Sequence, residues 1–314
     1  MSTAEKPRLH PRNKNRERYD LDALIVAIPE LKNHVKPNKF GADSVDFSNP
    51  IAVKLLNRAL LSHYYGIKNW NFPKENLCPP IPGRADYLHL IADLLSESNS
   101  GKVPTGNAIT FLDVGVGASC IYPIIGITEY DWNFIASDVD SKSVASAQQI
   151  VDSNKSLKNK VTCKLQENPN FFFKGVIGYD ARIDVSICNP PFHASAKDAK
   201  NASRRKVKNL TGKKVENPVL NFSGISNELI YNGGEYKFIH DMIFESKVFA
   251  KNFLWFSSLV SNKNNLKGIT KTLAKVEATQ TKIISLGTGN KSSNIVAWSF
   301  LSEQEQLNWF KEKR

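Results

Sequence analysis

The sequence predicts an α/β protein built on a mostly parallel sheet of seven strands, preceded by a helical region. One observation is that short apolar runs alternate with segments of helical periodicity after residue 108. Strands that alternate with helices form βαβ units, and these give a parallel sheet covered on both faces. A second observation is that two of the apolar runs end in loops rich in glycine or proline.

The region before the sheet is helical. Residues 1–19 are polar and basic, and we expect them to be mobile unless RNA or the core orders them. From Leu21 to about Ser98 the apolar residues recur with helical spacing. Residues 97–107 (ESNSGKVPTGN) are typical of a linker. We therefore predict an N-terminal basic arm and helical accessory region over residues 1–100 and a second domain over residues 101–314.

Each element of the second domain follows from the same alternation. The predicted strands are residues 109–114, 132–137, 161–165, 183–188, 253–260, 279–286 and 294–301. The predicted helices lie near residues 118–127, 141–154, 236–250 and 263–276. A basic insertion without clear periodicity, residues 193–235, interrupts the alternation, and connections this long are commonly functional or disordered. Parallel sheets bind ligands outside the carboxyl ends of their strands, so the loops there are the candidate sites.

The charge of the chain indicates which partners it favours. Its 42 Lys and Arg residues outnumber 30 Asp and Glu residues, which gives a net charge of +12. A polyanion such as nucleic acid is the first candidate partner, and a solvated basic surface is the alternative.

The cysteines give no sign of a metal site. Cys78, Cys120, Cys163 and Cys188 form no CxxC pair and have no histidine at zinc-ligand spacing, so we interpret all four as reduced and structural. No apolar stretch approaches the length of a membrane span, and the polar N-terminus lacks the apolar core of a secretory signal. We therefore expect a cytoplasmic protein that binds neither metal nor membrane.

The first candidate site is the loop after the strand at 109–114. Gly115 and Gly117 allow a tight turn and a close approach to a ligand. Asp138 ends the next strand, where its carboxylate can accept hydrogen bonds from ribose hydroxyls. A dinucleotide site has a similar arrangement but needs a third glycine, and that position is Cys120. Asp113 either orients the loop or interacts with the methionine end of a methyl donor.

Two alternatives apply to this loop. A lone GxG motif is more often an ordinary glycine turn. Asp140 could replace Asp138 as the ribose ligand, but Asp140-Ser141 also suits the N-cap of a helix, so we favour Asp138.

The second candidate site is Asn189-Pro190-Pro191-Phe192, which ends the strand at 183–188. The Asn189 side-chain carbonyl and the Pro190 backbone carbonyl can accept hydrogen bonds from a planar amino group. The two prolines fix the angles of these carbonyls because proline has a fixed φ and restricts the residue before it. Phe192 offers a ring on which an extruded base can stack. A proline-rich turn at a strand end is the structural alternative.

The order of the two loops favours a functional interpretation. A glycine loop that holds a methyl donor, followed by a loop that presents a planar amine, is the layout of an S-adenosylmethionine-dependent enzyme that methylates a base nitrogen. Alignment of donor and acceptor can supply much of the rate enhancement of such a reaction.

Nearly the whole chain resembles the bacterial 23S ribosomal RNA adenine-N6 methyltransferases of the RlmF type, and it is more distantly similar to the METTL16 group of eukaryotic RNA adenine-N6 methyltransferases. The segments that carry the resemblance are long and unusual in composition. They are residues 9–13 (LHPRN), 44–47 (SVDF), 49–50 (NP), 77–80 (LCPP), 82–87 (PGRADY), 112–123 (LDVGVGASCIYP), 189–192 (NPPF) and 233–235 (GGE).

The resemblance implies a class I, Rossmann-like methyltransferase fold that uses S-adenosylmethionine. By analogy Arg84 would bind the carboxylate of the donor, a task that suits its guanidinium fork. Gly115 and Asp138 carry over as donor contacts, and Asn168 does so through a loosely aligned segment. Asn189 would contact the donor or the acceptor amine. One departure is that the ribose ligand is Asp138, where related proteins carry Glu.

The expected substrate is 23S ribosomal RNA or a large-subunit assembly intermediate, methylated on N6 of one adenine. The target base must leave its stack, so a single-stranded or weakly paired site is expected. We predict that basic residues of the arm and the insertion grip phosphates. They are Arg12, Lys14, Arg16, Lys197, Lys200, Arg204, Arg205, Lys206 and Lys208.

Other classes of function are open at this point. A protein glutamine methyltransferase presents similar acceptors to a planar amide, although it usually carries Tyr where this chain has Phe192. Methylation of another structured RNA and a non-catalytic RNA-binding module are further alternatives. A monomer is expected, although no feature of the sequence fixes the oligomeric state.

Overall fold

The computed structural model describes residues 9–38, 40–195, 197–198, 229–288 and 291–311. Its main feature is a seven-stranded sheet. The strands are β3 (Thr110–Val114), β4 (Asn133–Asp138), β5 (Val161–Leu165), β6 (Ile183–Cys188), β7 (Phe253–Val260), β8 (Gln280–Thr288) and β9 (Lys291–Ser299). Their order across the sheet is β5-β4-β3-β6-β7-β9-β8. The pairs from β5 to β7 are parallel, and β9 runs antiparallel to both of its neighbours. The predicted α/β fold with seven strands is confirmed.

Helices cover the sheet as the alternation predicts. They are α4 (Ile121–Tyr130), α5 (Ser141–Ser153), α6 (Gly234–Ser246), α7 (Leu266–Lys275) and α8 (Glu303–Lys311). All six residues of β6 are buried, which is typical of a central parallel strand covered on both faces. The helix α8 was not predicted from the sequence, because nine residues show too few turns for a clear period.

The N-terminal region is helical, with one small sheet. It contains α1 (Leu21–Ala27), a 3-10 segment (Pro29–His34), α2 (Pro50–Tyr65) and α3 (Ile81–Glu97). The start of α2 is fixed by Asn49, whose side chain accepts hydrogen bonds from the N–H groups of Ile51 and Ala52. A two-stranded antiparallel sheet of β1 (Val35–Pro37) and β2 (Asp43–Val45) lies between the 3-10 segment and α2 in the chain. Sequence periodicity did not reveal it.

The basic arm is held by the core from residue 9 onward. The His10 backbone N–H and the Asn13 side-chain amide both donate to the Asp86 carboxylate on α3, the first at 3.0 Å and the second at 2.5 Å. Arg12 donates to Asp93, also on α3, at 2.7 Å. One cluster of buried apolar side chains runs from Leu24 in the accessory region to Phe310 in α8. The division at residues 100 and 101 remains a proposal, and this shared core does not mark it.

The sheet topology determines where a ligand can bind. The chain leaves β3 to form β4 on one side, and later returns to form β6 on the other side of β3. Ligands bind at such a switch point, outside the carboxyl ends of the strands. Val114 at the end of β3 pairs with Cys188 at the end of β6, so the glycine loop and the Asn-Pro-Pro-Phe loop leave the sheet side by side.

Within the described residues, none of the helices combines the length and apolar character that a membrane span requires.

Candidate active site

The glycine loop turns beside an open space. Gly115 and Gly117 have φ values of +79° and +63°, which favour glycine. The N–H groups of Gly115 and Val116 both donate to the Ser137 carbonyl at 2.9 Å, which ties the loop to β4. A Cβ on either glycine would meet no atom within 4 Å, so there is room for a ligand against this backbone.

Asp138 lies at the tip of β4 and supports the same loop. Its carboxylate accepts hydrogen bonds from the N–H groups of Gly117 and Asp140, each at 2.9 Å. An ionised carboxylate accepts several hydrogen bonds, so a carboxylate at this strand tip suits ribose hydroxyls. Asp140 is the N-cap of α5, where its side chain accepts hydrogen bonds from the N–H groups of Lys142 and Ser143. Of the two roles that the sequence left open for Asp140, the structure therefore shows the N-cap.

Asp113 is a buried carboxylate whose two oxygens both lack a hydrogen-bond partner among the described residues. Burial raises the pKa of Asp113 well above its ordinary value; the charge of Asp138 raises it further, and the charge of Arg84 opposes this shift. A buried acceptor without a donor is costly, about 1–3 kcal/mol. The arrangement therefore suits a ligand that brings its own donor or positive charge to Asp113.

Arg84 reaches the same region from the accessory region. It lies in the first turn of α3, and its guanidinium donates to the Tyr122 hydroxyl at 3.0 Å. The guanidinium carbon also lies 5.5 Å from the centre of the Tyr122 ring. This contact orients the guanidinium, and an oriented fork suits a carboxylate ligand. The part of Tyr122 was not visible in the sequence, where it reads as an apolar residue of α4.

The acceptor loop presents a side-chain carbonyl that no described residue pairs. The side-chain oxygen of Asn189 is buried and has no hydrogen-bond partner within the described chain. Pro190 is buried and Phe192 is half-buried, so the loop is held by the core and its aromatic ring is partly accessible. An oxygen in this state can accept a hydrogen bond from an amino group that enters the site.

Tyr87, which sequence analysis missed as a site residue, holds the tip of β6. The pairing of β6 with β7 ends at Ser186 and Phe256. Beyond that point the buried Tyr87 hydroxyl accepts from the Cys188 N–H at 3.4 Å and lies 2.9 Å from the Ser257 hydroxyl. Ser257 in turn donates to the Ser186 carbonyl at 2.8 Å. A helix of the accessory region therefore replaces the missing strand contacts directly before Asn189.

Asn168 lies in the exposed turn after β5, at the same edge of the sheet. Its backbone N–H donates to the Gln166 side chain at 3.1 Å, and its side chain accepts from the Asn170 N–H at 3.0 Å. The segment that follows is held by Glu245 of α6, whose carboxylate accepts from the N–H groups of Phe172, Phe173 and Lys174. The part of Glu245 was not visible in the sequence.

The basic residues of the arm contact the protein itself. Arg12 donates to Asp93, to the His89 carbonyl and to the Tyr130 hydroxyl. Burial lowers the pKa of Arg12, but the interactions with Asp93 and Tyr130 together outweigh burial and raise this pKa above its ordinary value. Lys14 forms an ion pair with Glu129 at 3.0 Å. Both side chains stay more than a third exposed, which leaves surface for a second partner. A role in RNA binding stays a prediction for these residues and for the half-buried Arg16.

Lys197 is exposed. The other predicted contacts in the insertion, Lys200, Arg204, Arg205, Lys206 and Lys208, lie outside the described residues. Among the described residues, no group of three or more His, Cys, Asp or Glu side chains could hold a metal ion.

The combined site fits the chemical groups of S-adenosylmethionine. The unpartnered oxygens of Asp113 and the cation of Arg84 suit the ammonium and carboxylate of its methionine end, respectively. Asp138 suits the ribose, and the open space beside Gly115 admits a ligand close to the backbone. The acceptor carbonyl of Asn189 lies on the adjacent strand tip.

Comparison with known proteins also indicates a methyltransferase. A family model described as RNA methyltransferase matches residues 3–302. The chain is 51% identical to the Ribosomal RNA large subunit methyltransferase F of Flavobacterium johnsoniae, over 98% of both chains. It is 54% identical to the protein of that name in Cytophaga hutchinsonii, over 97% of this chain and 94% of the other.

The solved structures that resemble the fold include the catalytic domain of human METTL16. In complex with MAT2A 3′UTR hairpin 1 it has a TM-score of 0.77 and 26% identity, covering 94% of this chain and 96% of that one. The N-terminal domain of human METTL16 in complex with SAH has a TM-score of 0.72 and 26% identity, with 94% and 99% covered. The chain described here therefore belongs to the RNA methyltransferase family, with S-adenosylmethionine as its methyl donor.

Proposed function

We propose that this chain transfers the methyl group of S-adenosylmethionine to the N6 amino group of one adenine in 23S ribosomal RNA. The observation that carries the proposal is the buried Asn189 oxygen, which has no hydrogen-bond partner among the described residues and lies on a strand tip that adjoins the glycine loop. The bacterial relatives are named for methylation of large-subunit ribosomal RNA, which supports this class of substrate.

The residues of the acceptor loop prepare a poor nucleophile. The lone pair of adenine N6 is delocalised into the ring. Asn189 Oδ1 and the Pro190 carbonyl accept the two amino hydrogens, which holds the nitrogen and lets it become more tetrahedral. Pro190 and Pro191 fix the angles of these carbonyls, and Phe192 stacks on the extruded base, which contributes about 1–3 kcal/mol.

The donor residues fix the other reactant. S-adenosylmethionine supplies an electrophilic methyl group on a sulfonium sulfur. Arg84 and Asp113 hold the methionine end, and Asp138 holds the ribose. As the new N–C bond forms, the C–S bond breaks and its electron pair stays on sulfur; the product nitrogen then releases one proton to water. No strong general base is needed, so alignment by these side chains supplies much of the rate.

The proposal includes the partners that the sequence indicates. The substrate is 23S ribosomal RNA or a large-subunit assembly intermediate. The enzyme acts on it as a monomer in the cytoplasm. Because the target base leaves its stack, the site on the RNA is single-stranded or weakly paired. The net charge of +12 favours such a polyanion.

Transfer of a labelled methyl group separates RNA from protein as substrate. Ribosomal RNA and ribosomal protein, both from cells that lack this gene, are incubated in parallel with the enzyme and labelled S-adenosylmethionine. We expect the label in RNA. A label that appears only in glutamine of a protein would replace the proposal by glutamine methylation, since a planar amide also fits the acceptor loop. If calorimetry showed that the enzyme binds the donor but neither RNA nor protein were methylated, both assignments of the acceptor would fail.

A further inference from the structure

The outer surface of α6 carries a line of aromatic rings. Tyr236, His240 and Phe244 follow one another at intervals of four residues, so they lie on one side of the helix over about 12 Å. The ring centres are 6.0 Å apart for Tyr236 and His240 and 4.7 Å apart for His240 and Phe244. Tyr236 and Phe244 are each more than a third exposed. Large exposed aromatic side chains in a row are unusual on a surface that only meets water.

The neighbouring helix α7 carries a matching line of positive charge. Lys267, Lys271 and Lys275 recur at the same interval of four residues, and all three are exposed. None of them forms an ion pair with a carboxylate of the described residues. Their side of α7 lies apart from the buried side, which is formed by Ile269, Thr272 and Leu273.

The two lines run side by side. Tyr236 packs so closely on α7 that a Cβ at Gly268 would lie 2.5 Å from its ring. At the other end, the Lys275 ammonium lies 5.4 Å from the centre of the Phe244 ring. Aromatic rings on one helix and ammonium groups on the next therefore lie side by side on one exposed surface, which we call the α6–α7 groove.

The groove begins at the active edge of the sheet. The end of the groove at the start of α6 lies beside the acceptor loop. A Cβ built on Gly234 there would lie 3.5 Å from the backbone nitrogen of Ala194. Glu235 accepts hydrogen bonds from the N–H groups of Ser261 and Asn262, directly after β7. Both helices therefore start at the carboxyl edge of the sheet and run away from it.

We propose that the α6–α7 groove binds a single-stranded RNA segment that adjoins the target adenine. Aromatic rings on which bases stack, beside cations that follow the backbone, are the combination by which proteins hold single-stranded nucleic acid. The inference rests on the proposed function, since it extends the RNA site from one base to the nucleotides next to it. The alternatives are a helix pair that the lysines merely solvate and a groove for an acidic peptide, and the test below distinguishes them.

The test compares two RNAs that contain the same target site. One ends at the target, and the other continues on either side with about six unpaired nucleotides. The variant is Lys267→Gln with Lys271→Gln. The matched control is Lys155→Gln with Lys158→Gln, which removes the same charge from exposed positions after α5.

We expect the groove variant to lose about tenfold in affinity for the extended RNA and nothing for the short one. The slope of log affinity against log salt should fall by about 1.4, since each phosphate contact to a single strand contributes about 0.7. The control should leave both values unchanged for either RNA. Equal losses for groove and control variants, or for long and short RNA, would overturn the inference in favour of solvated lysines.

A crosslink tests the aromatic wall independently. Extended RNA that carries 4-thiouridine in the flank is irradiated with the wild-type enzyme, and we expect crosslinked peptides from residues 236–244. His240→Ala should lower the affinity for the extended RNA and leave the affinity for the short RNA unchanged. The proposal would be refuted if the RNA flank crosslinked only to other regions of the protein. It would also be refuted if an acidic peptide bound the groove and the extended RNA did not displace it. Failure of the proposed function is distinguishable, because the wild-type enzyme would then methylate neither RNA.

Discussion

Two buried aspartates on neighbouring strands show how the two edges of this sheet differ. Asp184, near the start of β6, accepts hydrogen bonds from the Thr110 N–H at 2.7 Å and from the Trp309 indole at 2.8 Å. Asp113, near the end of β3, is equally buried, yet neither of its oxygens has a partner within the described chain. The chain itself completes the amino edge, whereas the carboxyl edge retains acceptors for a ligand.

Other contacts follow the same division. At the amino edge the Asn252 side chain donates to the carbonyls of Tyr179 and Ala181, both at 2.7 Å, and the Arg182 guanidinium lies 4.2 Å from the centre of the Trp309 ring. At the carboxyl edge the Asn189 oxygen has no described partner. Substitutions at the amino edge should therefore change stability, and substitutions at the carboxyl edge should change binding or turnover.

The largest effect is expected for Asn189→Ala. Without this carbonyl the amino group is not held, and turnover should fall at least about a hundredfold. The melting temperature should be unchanged, because the Asn189 oxygen forms no hydrogen bond with the described chain. RNA affinity should change little, because contacts to phosphates supply most of it. Asn252→Ala at the amino edge is the control: it removes two hydrogen bonds within the chain, so it should lower the melting temperature and leave turnover of the folded enzyme unchanged. Wild-type turnover in Asn189→Ala would refute the acceptor role of Asn189.

The paired substitutions Asp113→Asn and Asp184→Asn test the comparison itself. Asp113→Asn should weaken binding of S-adenosylmethionine about tenfold and leave the free energy of unfolding unchanged or higher, because it removes a buried unpaired acid. Asp184→Asn should cost about 1–3 kcal/mol of stability and leave donor binding unchanged, since its amide would place a donor against the Thr110 N–H or the Trp309 indole. Calorimetry and denaturant titration measure both. Exchanged phenotypes would contradict the division between the edges.

A smaller effect is expected for Tyr87→Phe. The tip of β6 would lose its hydrogen bonds to a hydroxyl of the accessory region while it keeps the aromatic packing. We expect kcat to fall about tenfold, with little change in KM for either substrate. Tyr65→Phe removes a similar buried hydroxyl, which bonds to Asn15, and should leave kcat unchanged. Equal losses of kcat in both variants would reduce Tyr87 to a general structural residue.

The smallest effect is a dependence of stability on pH. Because burial raises the Asp113 pKa, the folded protein retains a proton above pH 3.8 that the unfolded chain has lost. The free energy of unfolding of the ligand-free protein should therefore decrease as pH rises from 3.8 through the folded pKa. In Asp113→Asn this decrease should be absent, so its melting temperature should gain on the wild type as pH rises. Parallel curves would show that Asp113 is not buried without a partner.

Local sequence patterns were sufficient to predict the sheet. Each strand of the sheet carries an apolar run between turn signals, and the two functional loops follow such runs directly. The antiparallel β9 could not be told from a parallel strand, because both read as buried apolar runs. The β1–β2 pair was missed because three residues are too few for a period.

The residues that support the site could not be found in this way, because their contacts cross long stretches of chain. Tyr87 lies 101 residues from Cys188, and Glu245 lies 73 residues from Phe172. Cys120 is instructive for another reason. It occupies the position of a third glycine and adopts a left-handed conformation with φ of +53°, so the backbone there has the turn that glycine favours without having glycine.

The central claim is that the two adjacent strand tips join a donor methyl group to an exocyclic purine nitrogen. Mass spectrometry of nucleosides tests it most directly, on ribosomal RNA from cells that lack the gene after treatment with the enzyme and isotopically labelled S-adenosylmethionine. We expect label in N6-methyladenosine from a single RNA fragment, and none with Asn189→Ala. Label in a different nucleoside, or equal label with Asn189→Ala, would contradict the account.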